Sequence, residues 1–563
     1  MKLSNITISR SAVALVTAVF ACAACTDDWD EHYDAAVSDS GTLWQAISSQ
    51  DNLTNFTRVI QACGYDKTLN GSQTFSVFAP VDADFTSEQA DELISSFNEQ
   101  ERNGVKDEDN TVVRQFVQNH ISLYSHPVSS LTNDSISMMN GKYKVLTQSM
   151  LGDSKLSSAN HLYSNGVLFT LDKQVEYFPN VYEYLGLDGD VDSVYNFLNQ
   201  YSVYKFDPDK SVAGGIEDGL IVYLDSVTVL NNAIFNKYGL INNEDSSYLF
   251  LAPTNDEWNR MVAEYEPWFN YDNTVNKRDS IQFANSRLSV ISGSFFSRTT
   301  NPDEAIRDSA VSTSALSWQM RHYREIDDAY GTYYKPYEAG GVFDGTEAVE
   351  CSNGQVLKAS RYNVQPTQNF LQTIKVEAES ILTQDSIAYA EDPLTVCDVA
   401  TDNPFFGKIS GNSFVEIVPE NTSVNPIVMF GIPDVLSNVP YDVYVVTAPV
   451  IASDTLAAAD KRRPIRSQVK LGYNDQNGKN TLKQISGYFE STPDVVDTIL
   501  VAKKFQFPTC SYGLSDHQVQ IQLLSRVTSG NLTKWTRTMR IDCFILKPRY
   551  EATEEAAKNL SNN

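Results

Sequence analysis

Residues that commonly carry out chemistry are few in this sequence, and their spacing does not bring them together. Ser515, Asp516 and His517 are consecutive, and adjacent side chains cannot converge on one proton-transfer path, so we interpret them as a loop. No GxxxxGK[ST] or GxGxxG motif occurs, so no nucleotide cofactor is predicted. Without an HExxH motif or a pair four residues apart, no metal site is predicted from the six histidines, which are His32, His120, His126, His161, His322 and His517.

Carboxylates are abundant, with 71 Asp and Glu against 43 Lys and Arg, a net charge of −28 over 563 residues. This balance argues against nucleic acid as a partner, because phosphate binding needs Lys and Arg to replace counterions. The two carboxylates of a glycoside hydrolase need a separation of roughly 5–10 Å, which counting does not reveal. We therefore predict a non-catalytic protein without cofactor or metal.

The side chains best suited to binding are aromatic. Rings stack on the C–H faces of sugars and dominate protein interfaces. Three interpretations stay open for the rings at 318–337: they cover the core of their own domain, contact a partner protein, or bind a glycan. Glu266–Tyr271 is a second, weaker candidate. The first set comprises Trp318, Tyr323, Tyr330, Tyr333, Tyr334 and Tyr337.

The N-terminus has the features of a targeting segment. Two basic residues precede an apolar run at 11–21 that is too short to span a bilayer, and small residues follow it. Residues 1–24 resemble a bacterial lipoprotein signal peptide, which is cut before a cysteine that receives lipid. This resemblance predicts lipid attachment at Cys25. Cys22 is the alternative, although it has a bulky residue two places before it.

Residues 25–40 are predicted to form an acidic tether. The stretch after Cys25 holds six Asp or Glu and no Lys or Arg, and such a chain repels itself and stays extended. Acidic residues directly after the lipidated cysteine resemble the surface-export signal of Bacteroidota lipoproteins. The resemblance implies a protein anchored by lipid to the outer membrane and exposed at the cell surface.

The first folded block is expected at 41–187. In TFSVFAPVDADF, at 74–85, alternating apolar residues predict a half-buried strand, and Asp82 and Asp84 are turn or N-cap residues for a helix at 86–98. A second strand is predicted in NGVLFTLDK, at 165–173. These two segments resemble the two conserved boxes of fasciclin (FAS1) domains. The family's middle segment matches around His120, which we interpret as a half-buried structural histidine.

The same pattern recurs more faintly at 190–372. SYLFLAPTNDEW, at 247–258, resembles the first box, and SNGQVLKA, at 352–359, stands in place of the second. We therefore expect a second fasciclin-like domain. It departs from the family in lacking the histidine of the middle segment and in carrying the aromatic-rich stretch at 297–345, which we interpret as an insertion.

The remainder is predicted to be rich in strands. Apolar and polar residues alternate along 518–523 and 539–545, and turn signals separate such segments, so an antiparallel β-sandwich of jelly-roll type is expected at 373–550. It faintly resembles the sandwiches of carbohydrate-binding modules, beginning at IKVEAE from Ile374. Residues 551–563 are predicted to be a polar tail. The predicted fold class is thus α+β, with two fasciclin-like domains before the sandwich.

Asp-Ser or Asp-Thr followed by an apolar residue occurs repeatedly. The pattern resembles the O-glycosylation acceptor of exported Bacteroidota proteins. It predicts possible acceptors at Ser135, Ser280 and Thr455. The alternative is that such tripeptides simply begin strands and helices.

These resemblances imply a non-catalytic surface lipoprotein that binds a ligand or a partner. The favoured function is that of an accessory to a SusC/SusD-type system that takes up glycan or peptide. A fasciclin-type adhesin for host matrix or neighbouring cells is the alternative. A glycoside hydrolase, or an accessory to one, is the second alternative.

Overall fold

A computed structural model describes residues 41–129, 131–208, 211–217, 220–225, 228–298, 309–313, 331–516 and 518–550. The predicted signal peptide, Cys25, the acidic tether, Trp318, Tyr323, Tyr330, His517 and the tail at 551–563 lie outside the described residues. None of the helices in the described part of the chain combines the length and the apolar character needed to cross a bilayer.

The chain divides into two compact units. The first runs to Phe178 and includes Val203–Asn231, while the second holds Pro179–Ser202 and the chain from Asn232 onward. This division differs from the predicted domain boundary at 187–190. Pro179–Ser202 belongs to the second unit because its first helix is hydrogen-bonded there, through the N–H of Val181 to Asn353 Oδ1 at 2.9 Å.

The first unit is built on one mixed sheet. Its strands are β1 (Phe75–Pro80), β2 (Ile121–Leu123), β3 (Asn133–Ser137), β4 (Tyr143–Thr147), β5 (Met150–Leu151), β6 (Ser154–Tyr163) and β7 (Gly166–Leu171), in the order β2-β1-β7-β6-β5-β4-β3. β1 and β7 are parallel and buried at every residue. The helices are α1 (Leu43–Ser49), α2 (Thr54–Ala62), α3 (Tyr65–Leu69) and α4 (Ser87–Arg102). Two further strand pairs are formed by β8 (Ser202–Phe206) with β11 (Thr228–Asn232) and by β9 (Val212–Glu217) with β10 (Leu220–Asp225).

The aspartates after β1, Asp82 and Asp84, lie in a turn, as predicted, but neither is the N-cap of the next helix. α4 is capped by Thr86, whose hydroxyl accepts from the N–H of Gln89 in a capping box. The Asp82 carboxylate instead accepts from the first N–H groups of α2, those of Thr54 and Asn55, each at 2.9 Å. The carboxylate therefore joins the start of α2 to the end of β1, a contact between distant segments that local sequence does not reveal.

The second unit begins with a repeat of this arrangement. Its helices are α5 (Val181–Leu187), α6 (Asp192–Asn199), α7 (Ala233–Tyr238), α8 (Asn255–Tyr265) and α9 (Arg278–Ile291). Its strands are β12 (Tyr248–Pro253), β13 (Phe295–Ser297), β14 (Ser309–Val311), β15 (Thr332–Tyr334), β16 (Glu347–Cys351) and β17 (Gly354–Ala359). Four of them form a sheet in the order β13-β12-β17-β16, and β12 and β17 are parallel, as β1 and β7 are.

In each of the two parallel strand pairs, the backbones of the two strands approach closely at a glycine. Gly166 faces Phe75 in the first and Gly354 faces Tyr248 in the second, with φ of +143° and +152°. A Cβ on either glycine would lie 1.9 or 2.0 Å from the facing carbonyl oxygen. Only glycine fits, because any side chain would overlap the neighbouring backbone.

A buried asparagine precedes each of these glycines and ties the helices to the sheet. Asn165 accepts from the N–H of Leu43 at 2.8 Å and donates to the carbonyls of Leu69 and Gly71, both at 2.8 Å. Asn353 makes the equivalent bonds in the second repeat, accepting from α5 and donating to the carbonyls at 241 and 243. The Asn-Gly pairs are thus structural in both copies.

His120 is structural in the first unit, as predicted, although it is fully rather than half buried. Its Nδ1 lies 2.7 Å from the carbonyl oxygen of Phe116, and its Nε2 lies 2.9 Å from the backbone nitrogen of Val175. These partners assign a neutral ring with the proton on Nδ1. Burial lowers the pKa of His120 to about 4.

The second repeat replaces this histidine with a tyrosine from another segment. Strand register places Ser294 where His120 stands, because each directly precedes the edge strand of its sheet. The Tyr362 hydroxyl lies 3.2 Å from Ser294 Oγ and donates to the carbonyl of Val290 at 3.0 Å. Tyr362 therefore makes the hydrogen bond to a buried carbonyl that His120 makes in the first unit.

The rest of the second unit is an antiparallel β-sandwich. One sheet has the order β20-β21-β29-β23-β27 with β18 beside β29, and the other has the order β19-β22-β28-β24-β25 with β26 beside β24. The rings of Phe430 and Phe544, one from each sheet, lie 4.9 Å apart between centroids. The strands are β18 (Ile374–Glu377), β19 (Gln384–Ala388), β20 (Thr395–Asp398), β21 (Ser413–Ile417), β22 (Ile427–Ile432), β23 (Pro440–Thr447), β24 (Arg466–Asn474), β25 (Asn480–Gln484), β26 (Phe489–Glu490), β27 (Asp497–Gln506), β28 (Val519–Ser525) and β29 (Met539–Pro548).

Gly354→Ala should destabilise the second repeat by about 3 kcal/mol, because the new methyl group overlaps the Tyr248 carbonyl in a strained backbone. Urea unfolding detected by labelling of the buried Cys351 thiol measures the change. Gly189→Ala is the matched control, because a Cβ there meets no atom within 4 Å. Equal stability of the two variants would contradict the proposed close approach.

The first unit should lose stability in acid through His120. Its folded-state pKa of about 4 lies below the ordinary 6.5, so protonation favours the unfolded chain. The free energy of unfolding should fall by about 3 kcal/mol as the pH drops from 6.5 to 4. Urea unfolding detected by disulfide exchange of the buried Cys63 with dithiodipyridine tests this at pH 7 and 4.5. His120→Gln should remove most of the effect, and His161→Gln, on an exposed side chain, should not.

Candidate functional site

The structure describes three of the six aromatic residues predicted to bind a ligand or partner. Tyr333 is 7% exposed and packs edge-on against Phe296, so it covers the core of its own repeat and does not face a ligand. Tyr334 and Tyr337 are exposed by 53% and 59%. The Tyr337 ring lies 5.2 Å from that of Phe343. These two rings are open to solvent, and their role in binding stays a prediction.

The second aromatic candidate, Glu266–Tyr271, is a structural joint and not a ligand surface. Phe269 and Tyr271 are fully buried. The Tyr271 hydroxyl donates to the carbonyl of Tyr512 at 2.8 Å, and Ser437 donates to the carbonyl of Trp268 at 2.9 Å. The aromatic residues therefore fasten the second repeat to the sandwich.

A buried carboxylate strengthens this joint. Asp272 accepts from Asn474 Nδ2 at 3.0 Å and from the N–H of Thr274 at 2.8 Å. Burial alone would raise the pKa of Asp272, but these hydrogen bonds hold it below its usual range. Asn270 donates to Gln476 at 2.8 Å beside it. The second repeat and the sandwich are thus joined by both apolar and polar contacts.

A polar cleft of about 320 Å³ opens where the end of β29 meets α8. Arg260 donates two hydrogen bonds of 2.8 Å to Glu257 and one of 3.0 Å to Glu264. The Tyr550 hydroxyl donates to the other oxygen of Glu264 at 2.7 Å. Arg260, Glu257 and Glu264 are thus paired with one another, and the Tyr550 hydrogen bond holds the end of the sandwich against the second repeat.

Acidic residues from the first and last strands of the sandwich meet in a cluster that sequence reasoning missed. β18 pairs with β29, which places Glu377 opposite Cys543. One ligand atom from each of Glu377, Asp542 and Cys543 lies within 4.8 Å of the others. Glu379 lies two residues after Glu377, and its negative charge acts on Asp542 as well. The Glu-Ala-Glu spacing was visible in the sequence, but only the strand pairing brings Asp542 to it.

The electrostatics of this acidic cluster suit a divalent cation. Burial, together with the charges of Glu377 and Glu379, raises the pKa of Asp542 to about 7. Glu377 Oε2 and Glu379 Oε2 are buried, and no residue in the described part of the chain donates a hydrogen bond to either. Glu377 and Asp542 are the carboxylates that could hold a cation such as Ca²⁺, which prefers oxygen ligands. The thiol of Cys543 is the least suitable donor for such an ion.

The three predicted O-glycosylation residues are exposed. Ser135 lies in β3, Ser280 in α9 and Thr455 in a turn. Their modification stays a prediction. Ser515 and Asp516 lie in a bend before β28, in keeping with the interpretation of that segment as a loop.

The Fasciclin domain family matches residues 51–175, which confirms the resemblance of the first block to fasciclin domains. No curated protein matches the chain.

Several solved structures show partial similarity to the chain, among them the following three. A Paenibacillus xanthan lyase is 15% identical over 31% of this chain and 13% of its own, with a TM-score of 0.21. The CBM22-1 xylan-binding domain of Paenibacillus barcinonensis Xyn10C is 13% identical over 31% of this chain and 92% of its own, at 0.19. A FAS1 domain pair of the insect cell adhesion molecule Fasciclin I is 12% identical over 56% of this chain and 98% of its own, at 0.17. TM-scores of this size do not define a shared fold.

Ca²⁺ should stabilise the sandwich through the acidic cluster. At about 100 times its dissociation constant, a cation that binds only the folded chain adds about 2.7 kcal/mol. Calorimetry of chelator-treated protein, with and without CaCl₂, measures the shift in Tm. Asp542→Asn should abolish the shift and stabilise the chelated protein, because it removes a buried charge. Glu420→Gln, on an exposed acid of the sandwich, should retain the shift, and a Tm insensitive to Ca²⁺ in the unaltered chain would contradict the assignment.

Proposed function

We propose that this chain is a non-catalytic binding protein, held by lipid at Cys25 on the outer surface of a Bacteroidota cell. Its role would be to catch glycan or peptide beside a SusC/SusD-type uptake system. The chain would reach from the membrane through the acidic tether at 25–40. The second repeat is a second fasciclin-like domain in this proposal, and the sandwich is a ligand-binding module.

The joint at Glu266–Asp272 carries this proposal. It buries large aromatic side chains and a carboxylate in order to fix the second repeat against the sandwich. Such a joint suits a protein that presents two modules to one large partner or ligand, because pre-ordered surfaces lose less entropy on binding. The shared Asn-Gly motifs of β7 and β17 support a second fasciclin-like domain.

Affinity isolation of the tagged protein from its own outer membrane in mild detergent tests the proposal. Stoichiometric recovery of a SusC/SusD-like pair, identified by mass spectrometry, is the expected result. Recovery of the protein alone, with loss of cell adhesion in a deletion strain, would favour the alternative of an adhesin. The Fasciclin match at 51–175 is the observation that keeps adhesion as the second candidate.

The anchor is tested by Cys25→Ala. A variant that cannot be acylated should leave the membrane fraction, because no other lipid attachment is proposed. Cys22→Ala is the matched control and should remain in the membrane fraction. Membrane retention of Cys25→Ala together with release of Cys22→Ala would move the anchor to the alternative cysteine.

A further inference from the structure

Two segments of the sandwich contain no acidic residue, although the chain has 71 Asp and Glu in 563 residues. Residues 461–474 carry five basic side chains, Lys461, Arg462, Arg463, Arg466 and Lys470. Residues 517–541 carry four, Arg526, Lys534, Arg537 and Arg540. In a chain with a net charge of −28, this concentration of positive charge needs a local explanation.

The sheet brings the two segments together. β24 pairs antiparallel with β28, and Ile465 forms an isolated bridge with Thr536. The N–H of Arg526 donates to the carbonyl of Arg466 at 2.8 Å. Arg463 donates to the carbonyl of Leu532. Positive side chains that are about 60 residues apart in the chain therefore share one end of the sandwich.

Four side chains form the centre of this region, and we call them the Arg466 cluster: Arg466, Tyr488, Lys534 and Trp535. The Arg466 guanidinium carbon lies 4.1 Å from the centroid of Tyr488 and 4.6 Å from that of Trp535. Lys534 Nζ lies 4.2 Å from the centroid of Trp535. Trp535 is buried beneath the cations, whereas Tyr488 is 59% exposed.

Carboxylates balance only part of the positive charge at this end. Arg462 pairs with Asp494 and Arg466 with Glu490, each at 3.8 Å, and Arg540 pairs with Glu416 at 2.7 Å. Arg537 is 5% exposed, and its acceptors are the carbonyls of Val527 and Thr422 and the hydroxyl of Ser529, none of which carries a charge. The Glu490 side chain that pairs with Arg466 is 45% exposed, so water screens this pair.

Hydrogen-bond donors are also in excess there. Arg466 Nε and the indole Nε1 of Trp535 are both buried, and neither has a hydrogen-bond acceptor among the described residues. These buried donors, together with the buried Arg537 cation and its uncharged acceptors, create a positive potential that attracts an anion in the surrounding water.

We propose that the Arg466 cluster binds an acidic polysaccharide, one whose sugars carry carboxylate or sulfate groups. Arg466 and Lys534 would pair with the anionic groups, and the exposed ring of Tyr488 would pack on the C–H face of an adjacent sugar. The exposed ring favours a sugar over an acidic peptide as the ligand. An acidic peptide could be bound by the cations alone, whereas the ring adds a surface that packs on a sugar. This inference rests on the proposed function and deepens it by giving the sandwich a class of ligand.

Affinity electrophoresis of the purified full chain, in native gels containing a soluble polymer, tests the inference. Polygalacturonate presents carboxylates, dextran sulfate presents sulfates, and neutral dextran presents neither. The chain should be retarded by one or both acidic polymers and not by dextran, and added salt should weaken the retardation. Whichever acidic polymer retards it more identifies the anionic group.

The double variant Arg466→Gln, Lys534→Gln should bind about tenfold more weakly or worse, because two charge-assisted contacts are lost. Lys408→Gln, Lys483→Gln is the matched control, since these two cations also lie over aromatic rings of the sandwich, at 5.6 and 5.8 Å, outside the Arg466 cluster. Arg466→Lys keeps the charge and should retain most of the binding, which separates loss of charge from loss of folding.

Three results would overturn the inference: no retardation by either acidic polysaccharide, equal affinity of the double variant and the control, or equal retardation by poly-glutamate. The last would assign a surface for acidic proteins instead. If these gels fail while the membrane isolation still recovers a SusC/SusD-like pair, the proposed function stands without this ligand.

Discussion

The α+β part of the chain depends on one backbone contact, made twice. In each repeat a strand from early in the block lies parallel to a strand about 90–105 residues later, and a glycine is needed where they meet. The preceding asparagine then bonds to the helices packed against the sheet. No side chain fits at Gly166 or Gly354, so the two strands can pair only with glycine there. The sheet depends on that pairing, and so do the hydrogen bonds between the neighbouring asparagine and the helices.

Near this contact, the two repeats use different residues to make an equivalent buried hydrogen bond. His120 bridges two backbone groups in the first unit, and a hydroxyl from Tyr362 serves the equivalent carbonyl in the second repeat. Both groups are buried, so an unpaired carbonyl there would carry the full cost of its desolvation. The same requirement explains why the buried polar atoms of Tyr271 and Asp272 in the joint are hydrogen-bonded.

The sandwich holds charge of both signs in separate places. The acidic cluster lies where β18 meets β29, and the Arg466 cluster lies on the other sheet, beside β24 and β28. Each site combines residues far apart in the chain. Each also holds buried polar atoms that have no hydrogen-bond partner among the described residues.

Periodicity and short motifs in the sequence determined the strands at β1, β7, β12 and β17 and the structural role of His120. These features are local, since alternation, turn residues and capping motifs act within a few residues of one another. Only the tertiary structure decided that Tyr333 is buried while Tyr334 is open, that Trp268 belongs to a joint, and that Glu377 meets Asp542. Those outcomes depend on strand register and on which segments pack together, and a shift of one residue reverses the face that a side chain occupies.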